Sequence, residues 1–210
     1  MKILKKILFV GLVLCVVGYP FRSMVVEMVT ATKGPIGEVR EGDVIFQTSL
    51  SQQSPLIKIG TRSTITHCGV VVMKDGKPYV LETQKRLLLT PLDKFIARGK
   101  DGKYWHKRPQ MDNIKIKYNS YLGMPYDLAF KFDNGKFYCS ELIYDIYLNQ
   151  LGVELCEPKR IKDYLILGSH RLPKIKDAMQ KRDITMEQYA VAPVDVFNSK
   201  KLKFVRKLDT

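Results

Sequence analysis

Cysteine and histidine are scarce in this chain of 210 residues, which has four cysteines and three histidines. No two cysteines stand in C-x-x-C spacing, so neither a zinc knuckle nor a thioredoxin-type redox pair is indicated. Four cysteines are also too few for a disulfide scaffold. The sequence has no low-complexity segment and no repeat of solenoid period. These absences leave one ordinary globular domain with a short appendage as the expected organisation.

Negative charge is also in short supply, and the formal net charge is +14. Such a balance suits nucleic acid, an anionic membrane surface or an anionic envelope polymer. Basic residues are spread along the whole chain, however, and no nucleic-acid-binding motif accompanies them. We therefore expect a solvated basic surface and no nucleic-acid partner, with an anionic membrane surface and the oligomeric state left open.

The first 20 residues, MKILKKILFVGLVLCVVGYP, begin with three lysines and continue into an apolar run over 7–17. This is the layout of a secretory signal, and the run is shorter than the about 20 residues of a membrane span. Residues 1–30 are predicted to be a signal peptide or an uncleaved membrane anchor. Export or anchoring on the extracytoplasmic (periplasmic) side is expected. Lipidation of Cys15 is a weaker alternative, because Leu14 precedes it where a small residue is usual.

Residues 31–210 are predicted to form one α+β domain, because strand-like and helix-like segments are segregated along the chain. The clearest local pattern is THCGVVVMKDGKPYVLETQ (66–84), in which two β-branched runs flank an Asp-Gly turn at 75–76. Asp-Gly is a preferred two-residue hairpin turn.

Four other segments carry weaker patterns. The segment 39–48 predicts a turn and a short strand, and 114–123 predicts a strand and then a helix that ends at Gly123. The segment 139–152 predicts a helix ended by Gly152, and the C-terminal KKLKFVRKL predicts a last strand.

The hairpin register brings two polar residues together. With Lys74 opposite Lys77, His67 and Glu82 lie on one face as diagonal neighbours, roughly 7–8 Å apart at Cα. Gly69 is expected to leave open space between them. Cys68 points to the opposite face, which predicts a small core residue.

Cys139 begins a predicted helix, where unpaired N–H groups and the positive end of the dipole favour a thiolate. The chain can thus supply a nucleophile in Cys139, a base in His67 and an orienting group in Glu82. Each has a structural alternative: an inert buried cysteine, a structural histidine and an ordinary strand glutamate. The remaining histidines, His106 and His170, have no comparable partner pattern.

Several motifs together resemble a known family. YLGMPYDLAFKFDNGKFYCSELIYDIYLNQLG (121–152) resembles the nucleophile region of NlpC-like cysteine peptidases. GDVIF (42–46) followed by THCGVVV (66–72) resembles their Gly-Asp strand and histidine strand. Here the histidine precedes the cysteine, an order typical of the circularly permuted papain-like branch, specifically the YaeF/YiiX family. Lecithin retinol acyltransferase-like proteins share that order.

The resemblance implies a circularly permuted papain-like (NlpC-like) α+β fold, with an antiparallel sheet packed against helices and an N-terminal signal or anchor helix. It implies Cys139, His67 and Glu82 as catalytic residues and Tyr126 as a residue lining the substrate cleft. Tyr138 stands where an Asp often precedes the cysteine, and Glu141 replaces the usual Gly after Cys-Ser. These departures put the peptidoglycan-peptide specificity of the NlpC group in doubt.

Three functions follow. The first is a thiol hydrolase that cleaves an amide or ester of a cell-envelope peptide or lipid through an acyl-enzyme on Cys139, without a metal or cofactor. The second is a lipid acyltransferase of the lecithin retinol acyltransferase-like type, and the third is a non-catalytic envelope-binding module. A disulfide between Cys68 and Cys156 stays open, and it requires Cα atoms within about 7 Å.

Overall fold

The computed structural model describes residues 27, 30–165 and 173–205. Apart from Glu27 and Thr30, the predicted signal or anchor segment lies outside the described residues, and so do Cys15 and His170. Within the described ranges, no helix has both the length and the apolar character that a membrane span requires.

Antiparallel pairing organises the described part of the chain, where seven strands form one sheet in the order β1-β6-β2-β3-β4-β5 and β9 also pairs with β6. Strands β7 and β8 form a separate pair. The strands are β1 Thr32–Lys33, β2 Val44–Gln47, β3 His67–Lys74, β4 Lys77–Thr83, β5 Leu87–Pro91, β6 Lys103–Pro109, β7 Lys159–Arg160, β8 Tyr189–Ala190 and β9 Leu202–Phe204.

Helices alternate with the strands along the described part of the chain. They are α1 Ser54–Thr61, α2 Leu92–Arg98, α3 Cys139–Asp145, α4 Ile161–Tyr164, α5 Pro173–Lys181 and α6 Pro193–Asn198. Helix α3 continues as a π-helical turn over Ile146–Gln150, and the chain leaves it at Gly152 with φ 66°. The predicted helix over 139–152, its glycine end and the predicted last strand are confirmed.

The β3–β4 hairpin has the predicted register, with Lys74 opposite Lys77 and pairing that runs to Val70 opposite Leu81. Asp75 and Gly76 both have positive φ, at 51° and 73°. A two-residue turn of this hand suits the twist of antiparallel strands, so local turn chemistry fixes the register.

The prediction for segment 114–123 is wrong, because the segment forms neither the predicted strand nor the predicted helix. Ile114 and Ile116 do alternate inward and are buried. Within the described residues, however, the segment belongs to no strand ladder. Its backbone is satisfied singly, because the Ile116 N–H donates to Glu41 Oε1 at 2.8 Å and the Gly123 N–H donates to the Leu87 carbonyl at 2.9 Å. Residues 119–123 are turns that end at Gly123, whose φ is 86°.

The sheet has an apolar core on each face. Helix α3 packs on the face that carries Cys68, Val70 and Val72. Helix α2 packs on the other face through Phe95, against Val71 and Val80. The result is the expected antiparallel sheet packed against helices, with the start of α3 beside the start of β3.

Candidate active site

His67 and Glu82 are in direct contact at the end of the hairpin away from its turn. His67 Nε2 lies 2.7 Å from Glu82 Oε2, and the Glu82 side chain is fully buried. The predicted proximity of the two residues is confirmed. The expected open space at Gly69 is wrong: a Cβ there would come within 2.3 Å of Val80 Cγ1 and 3.3 Å of Glu82 Cβ. The missing side chain instead lets β4 approach β3 closely beside the pair.

The Glu82 carboxylate is surrounded by donors on both oxygens. Arg98 Nη2 lies 2.7 Å from Oε1 and 2.6 Å from Oε2, while Thr90 Oγ1 donates to Oε1 at 2.5 Å. Gln84 Nε2 adds a bond to Oε1 at 3.1 Å. Burial alone would raise the pKa of Glu82, but the His67 partner and the donors from Arg98 and Thr90 lower it to about 2. The group is therefore an anion at neutral pH, and it orients the imidazole.

The His67 ring is fixed on two sides. It stacks on Phe95 with ring centroids 5.6 Å apart, and its Nε2 faces Glu82, which leaves Nδ1 for Cys139. Burial opposes protonation of the ring, but the hydrogen bonds to Cys139 and Glu82 outweigh it and raise the pKa of His67 to about 9. A protonated His67 imidazole would therefore lie between the Cys139 sulfur and the Glu82 carboxylate.

Cys139 is the first residue of α3 and is 3% exposed. The neighbouring Ser140 Oγ donates to the Val191 carbonyl at 2.6 Å, which ties the helix start to the chain beyond α5. The pKa of the Cys139 thiol falls well below its usual range, because hydrogen bonds from Cys68 and then His67 outweigh burial. The directions of these two pKa shifts favour a thiolate–imidazolium pair, which is the reactive form of a cysteine nucleophile.

Cys68, Arg98 and Thr90 are the site residues that the sequence reasoning missed. Cys68 does face away from His67, as its parity predicts, and it is a core residue. That face is the one covered by α3, however, and hydrogen bonds from the thiol and from the backbone N–H of Cys68 are both among the causes that lower the pKa of Cys139. Cys68, Cys139 and Cys156 are all free thiols, so the Cys68–Cys156 pairing is not formed.

Tyr126, which the resemblance implies as a cleft residue, lies near His67. It lines a cavity together with His67, and burial followed by the nearby charge of Cys139 raises the pKa of its phenol. Its contact with a substrate stays a prediction.

Two adjoining cavities meet at the Cys139–His67 pair, and both are lined by Gln53 and Ile57. The cavity that reaches Cys139 has about 840 Å³, including space open to solvent, and its walls are almost wholly apolar. These walls include Leu56 and Ile57 of α1 and Ile175, Ala178 and Met179 of α5. The cavity that reaches His67, of about 1010 Å³, has more polar side chains in its lining, among them Ser49, Ser51, Thr66, Gln84 and Lys85. The pair thus stands between an apolar space and a more polar one.

His106, the other described histidine, belongs to a structural ion cluster. Its Nε2 lies 2.7 Å from Asp43 Oδ2, and Arg108 Nε donates to Asp43 Oδ1 at 2.8 Å. These bonds join β6 to the residue that precedes β2. The ring has a carboxylate partner that the sequence pattern did not reveal.

The chain is similar to known proteins along most of its length. The model of a family described as permuted papain-like amidase enzyme, YaeF/YiiX, C92 family matches residues 38–206. Uncharacterized protein YiiX of Escherichia coli K12 is 31% identical over 193 residues, which cover 89% of this chain and 95% of that protein. A crystal structure of yiiX from Escherichia coli O157:H7 has a TM-score of 0.72 at 32% identity and covers 81% of this chain and 98% of that one.

That crystal structure is described as one of a metalloprotein. Among the residues described for the present chain, no group of three or more His, Cys, Asp or Glu side chains is arranged to hold a metal ion.

Proposed function

The chain belongs to the YaeF/YiiX family of permuted papain-like amidases, and we propose that it is a thiol hydrolase that cleaves an amide or an ester through an acyl-enzyme on Cys139. One observation carries the proposal: His67 bridges the Cys139 sulfur and a buried carboxylate whose oxygen lies 2.7 Å from Nε2. Family membership supports a hydrolase at the coarse level. The roles of Cys139, His67 and Glu82 are our assignment.

The reaction uses groups that are already in contact. The Cys139 thiolate attacks the substrate carbonyl carbon, and the first N–H groups of α3, which have no acceptor within the helix, are available to the oxyanion. The His67 imidazolium gives its proton to the leaving amine or alcohol as the tetrahedral intermediate collapses to a thioester. His67 then takes a proton from water, whose oxygen attacks the thioester and releases the acid and the Cys139 thiolate, so that the thiolate and the protonated His67 are restored. Glu82 holds the ring orientation throughout.

The two cavities support a substrate with an apolar acyl part. A substrate carbonyl bound at Cys139 would have apolar side chains of α1 and α5 on one side. On the His67 side it would have more polar side chains, which include Lys85. We therefore propose a lipid-like acyl substrate of the cell envelope, with a polar or anionic leaving group, in preference to a peptide. Tyr138 and Glu141, the two departures from the NlpC-type pattern, are buried structural residues at the start of α3.

Acyl transfer to an alcohol or amine is the second candidate. The observation that favours it is the burial of Cys139 against apolar walls, because such a space lets an acceptor displace water from the thioester. The chemistry up to the acyl-enzyme is the same, so the two functions differ only in which nucleophile resolves it.

We also propose that the protein acts on the extracytoplasmic side of a membrane. The basic start and apolar run of residues 1–20 support this location, and the net charge of +14 suits an anionic membrane surface. Fractionation of cells that express the full chain, with protease added to intact spheroplasts, tests it. Protection of the full-length chain from the protease would refute it.

The central experiment is identification of the group left on Cys139. The full chain is incubated with acyl esters of increasing chain length and with N-acyl peptides, and mass spectrometry then locates any acyl adduct. We expect an adduct on Cys139 that is absent in Cys139→Ala and retained in the matched control Cys156→Ala. Labelling of Cys139→Ala at the wild-type level would refute the assignment, and an unreactive wild type would favour the non-catalytic module.

The same assay separates hydrolysis from transfer. The products are measured with and without an added alcohol or amine, such as glycerol or ethanolamine. Free acid at all acceptor concentrations supports the hydrolase. Acylated acceptor as the main product supports the transferase.

A further inference from the structure

Strands β3 and β4 separate before Cys68. Their pairing ends at Val70 opposite Leu81. In an unbroken ladder Cys68, two residues further along, would lie opposite Thr83. In the hairpin ladder the even residues of β3 direct their backbone N–H groups toward β4, because Lys74 and Lys77 close the turn. The Cys68 N–H is therefore released from the ladder at the point where α3 begins, and its hydrogen bond to Cys139 is one of the causes that lower the pKa of that thiol.

The side chain of Cys68 makes a second contact with the same atom. Cys68 has no exposed surface and lies in the core under α3, with Cys139 and Leu142 in the same cluster. Its thiol hydrogen-bonds to the Cys139 sulfur. Burial and then the adjacent Cys139 raise the pKa of the Cys68 thiol well above its usual range, which favours a protonated Cys68 as the donor.

The two cysteines are not equivalent, although they touch. His67 hydrogen-bonds to Cys139 and supplies the positive charge there. Cys68 points into the core from the other face of β3. The negative charge therefore belongs on Cys139, and Cys68 presents two donors to it from one residue.

We propose that Cys68 is a thiolate-stabilising residue, which holds the Cys139 sulfur as an anion opposite His67 through its backbone N–H and its thiol. The inference rests on the proposed function, in which Cys139 is the nucleophile. In this inference Cys68 stabilises the Cys139 thiolate in addition to His67, and so it contributes to the reactivity of Cys139. Only the thiol contribution can be removed by substitution, since every residue at this position keeps the N–H.

Alkylation of Cys139 as a function of pH tests the inference without any substrate. The full chain is treated with iodoacetamide between pH 4 and pH 10, and peptide mass spectrometry follows Cys139 separately from the other thiols. In the wild type we expect Cys139 to react well below the ordinary thiol pKa of about 8.5. Removing the donor in Cys68→Ala is expected to raise the midpoint by on the order of one pH unit, which is about a tenfold loss of thiolate at low pH.

Three further variants separate this role from packing. Cys68→Ser keeps a donor of similar size and is expected to keep the wild-type profile. Cys68→Val fills the core without a donor and is expected to behave like Cys68→Ala. Cys156→Ala, which removes a thiol outside the site, is expected to leave the profile unchanged. Thermal unfolding of each variant shows whether the fold is intact, and the valine variant carries the test if the alanine variant unfolds.

Failure of the inference and failure of the proposed function give different results. If Cys139 reacts at low pH in the wild type and equally in Cys68→Ala and Cys68→Val, Cys68 is core packing only. If Cys139 of the wild type reacts only near the ordinary thiol pKa, the thiolate–imidazolium pair itself is refuted.

Discussion

Glu82→Gln is the most informative single substitution, because it removes a charge and almost no volume. Both carboxylate oxygens face donors, with Thr90, Gln84 and Arg98 on Oε1 and His67 and Arg98 on Oε2. A glutamine must place its NH₂ group at one of these two positions. Arg98 has only donors and contacts both positions. In either orientation the glutamine NH₂ group therefore faces a donor of Arg98 and has no acceptor there.

The size of the effect follows from the pKa of Glu82. A fall from the ordinary 4.5 to about 2 corresponds to roughly 3 kcal/mol of stabilisation of the folded state, at 1.36 kcal/mol per pKa unit. Because the folded-state pKa is depressed, this stabilisation is fully present above pH 4.5 and is lost as the pH falls toward 2. The free energy of unfolding of Glu82→Gln should therefore be about 3 kcal/mol lower than that of the wild type at pH 7. This difference should shrink toward zero near pH 2.

Urea unfolding of the two proteins between pH 2 and pH 7 measures this difference. Glu38→Gln is the matched control, since Glu38 forms an exposed pair with Arg40, which should contribute little. A Glu82→Gln variant within about 0.5 kcal/mol of the wild type at pH 7 would refute the account of Glu82. So would a difference that does not change with pH.

Three other substitutions probe separate parts of the site. Arg98→Ala removes a partly exposed donor of Glu82 and is expected to lower the free energy of unfolding by about 1 kcal/mol in urea titrations; no change would mean that Thr90 and His67 suffice. Gly69→Ala forces a Cβ against Val80 and is expected to cost about 1–3 kcal/mol in the same assay, and a neutral result would contradict the close approach of β4. Ala178→Trp fills the apolar cavity and should lower kcat/KM for long-chain esters at least about tenfold while Cys139 alkylation stays unchanged. An equal loss for short and long chains would place the acyl group elsewhere.

The sequence predicted those parts of the site that depend on local chemistry. The Asp-Gly turn determines the register of β3 and β4, and the register brings Glu82 to His67. The start of α3 at Cys139 followed from helical spacing. Each of these inferences uses residues close together in the chain, where turn and helix rules apply directly.

The parts that were missed depend on which elements cover which face of the sheet. Cys68 was correctly placed on the face opposite His67, but its contact with Cys139 exists only because α3 packs on that face. Arg98 reaches Glu82 from α2, and nothing in its local sequence indicates a carboxylate partner. The alternating Ile114 and Ile116 predicted a strand because alternation reports burial, whereas a strand also needs a neighbour to pair with.

Much of the apolar cavity wall comes from α1 and α5, whereas the reacting groups come from β3, β4 and α3. Substitutions in these two helices can therefore change the shape of the bound acyl group without moving the sulfur, the imidazole or the carboxylate. Selection can act on the range of accepted molecules separately from the reaction itself. Natural or engineered diversity of specificity should accumulate in α1 and α5, while the residues around Cys139 stay the same.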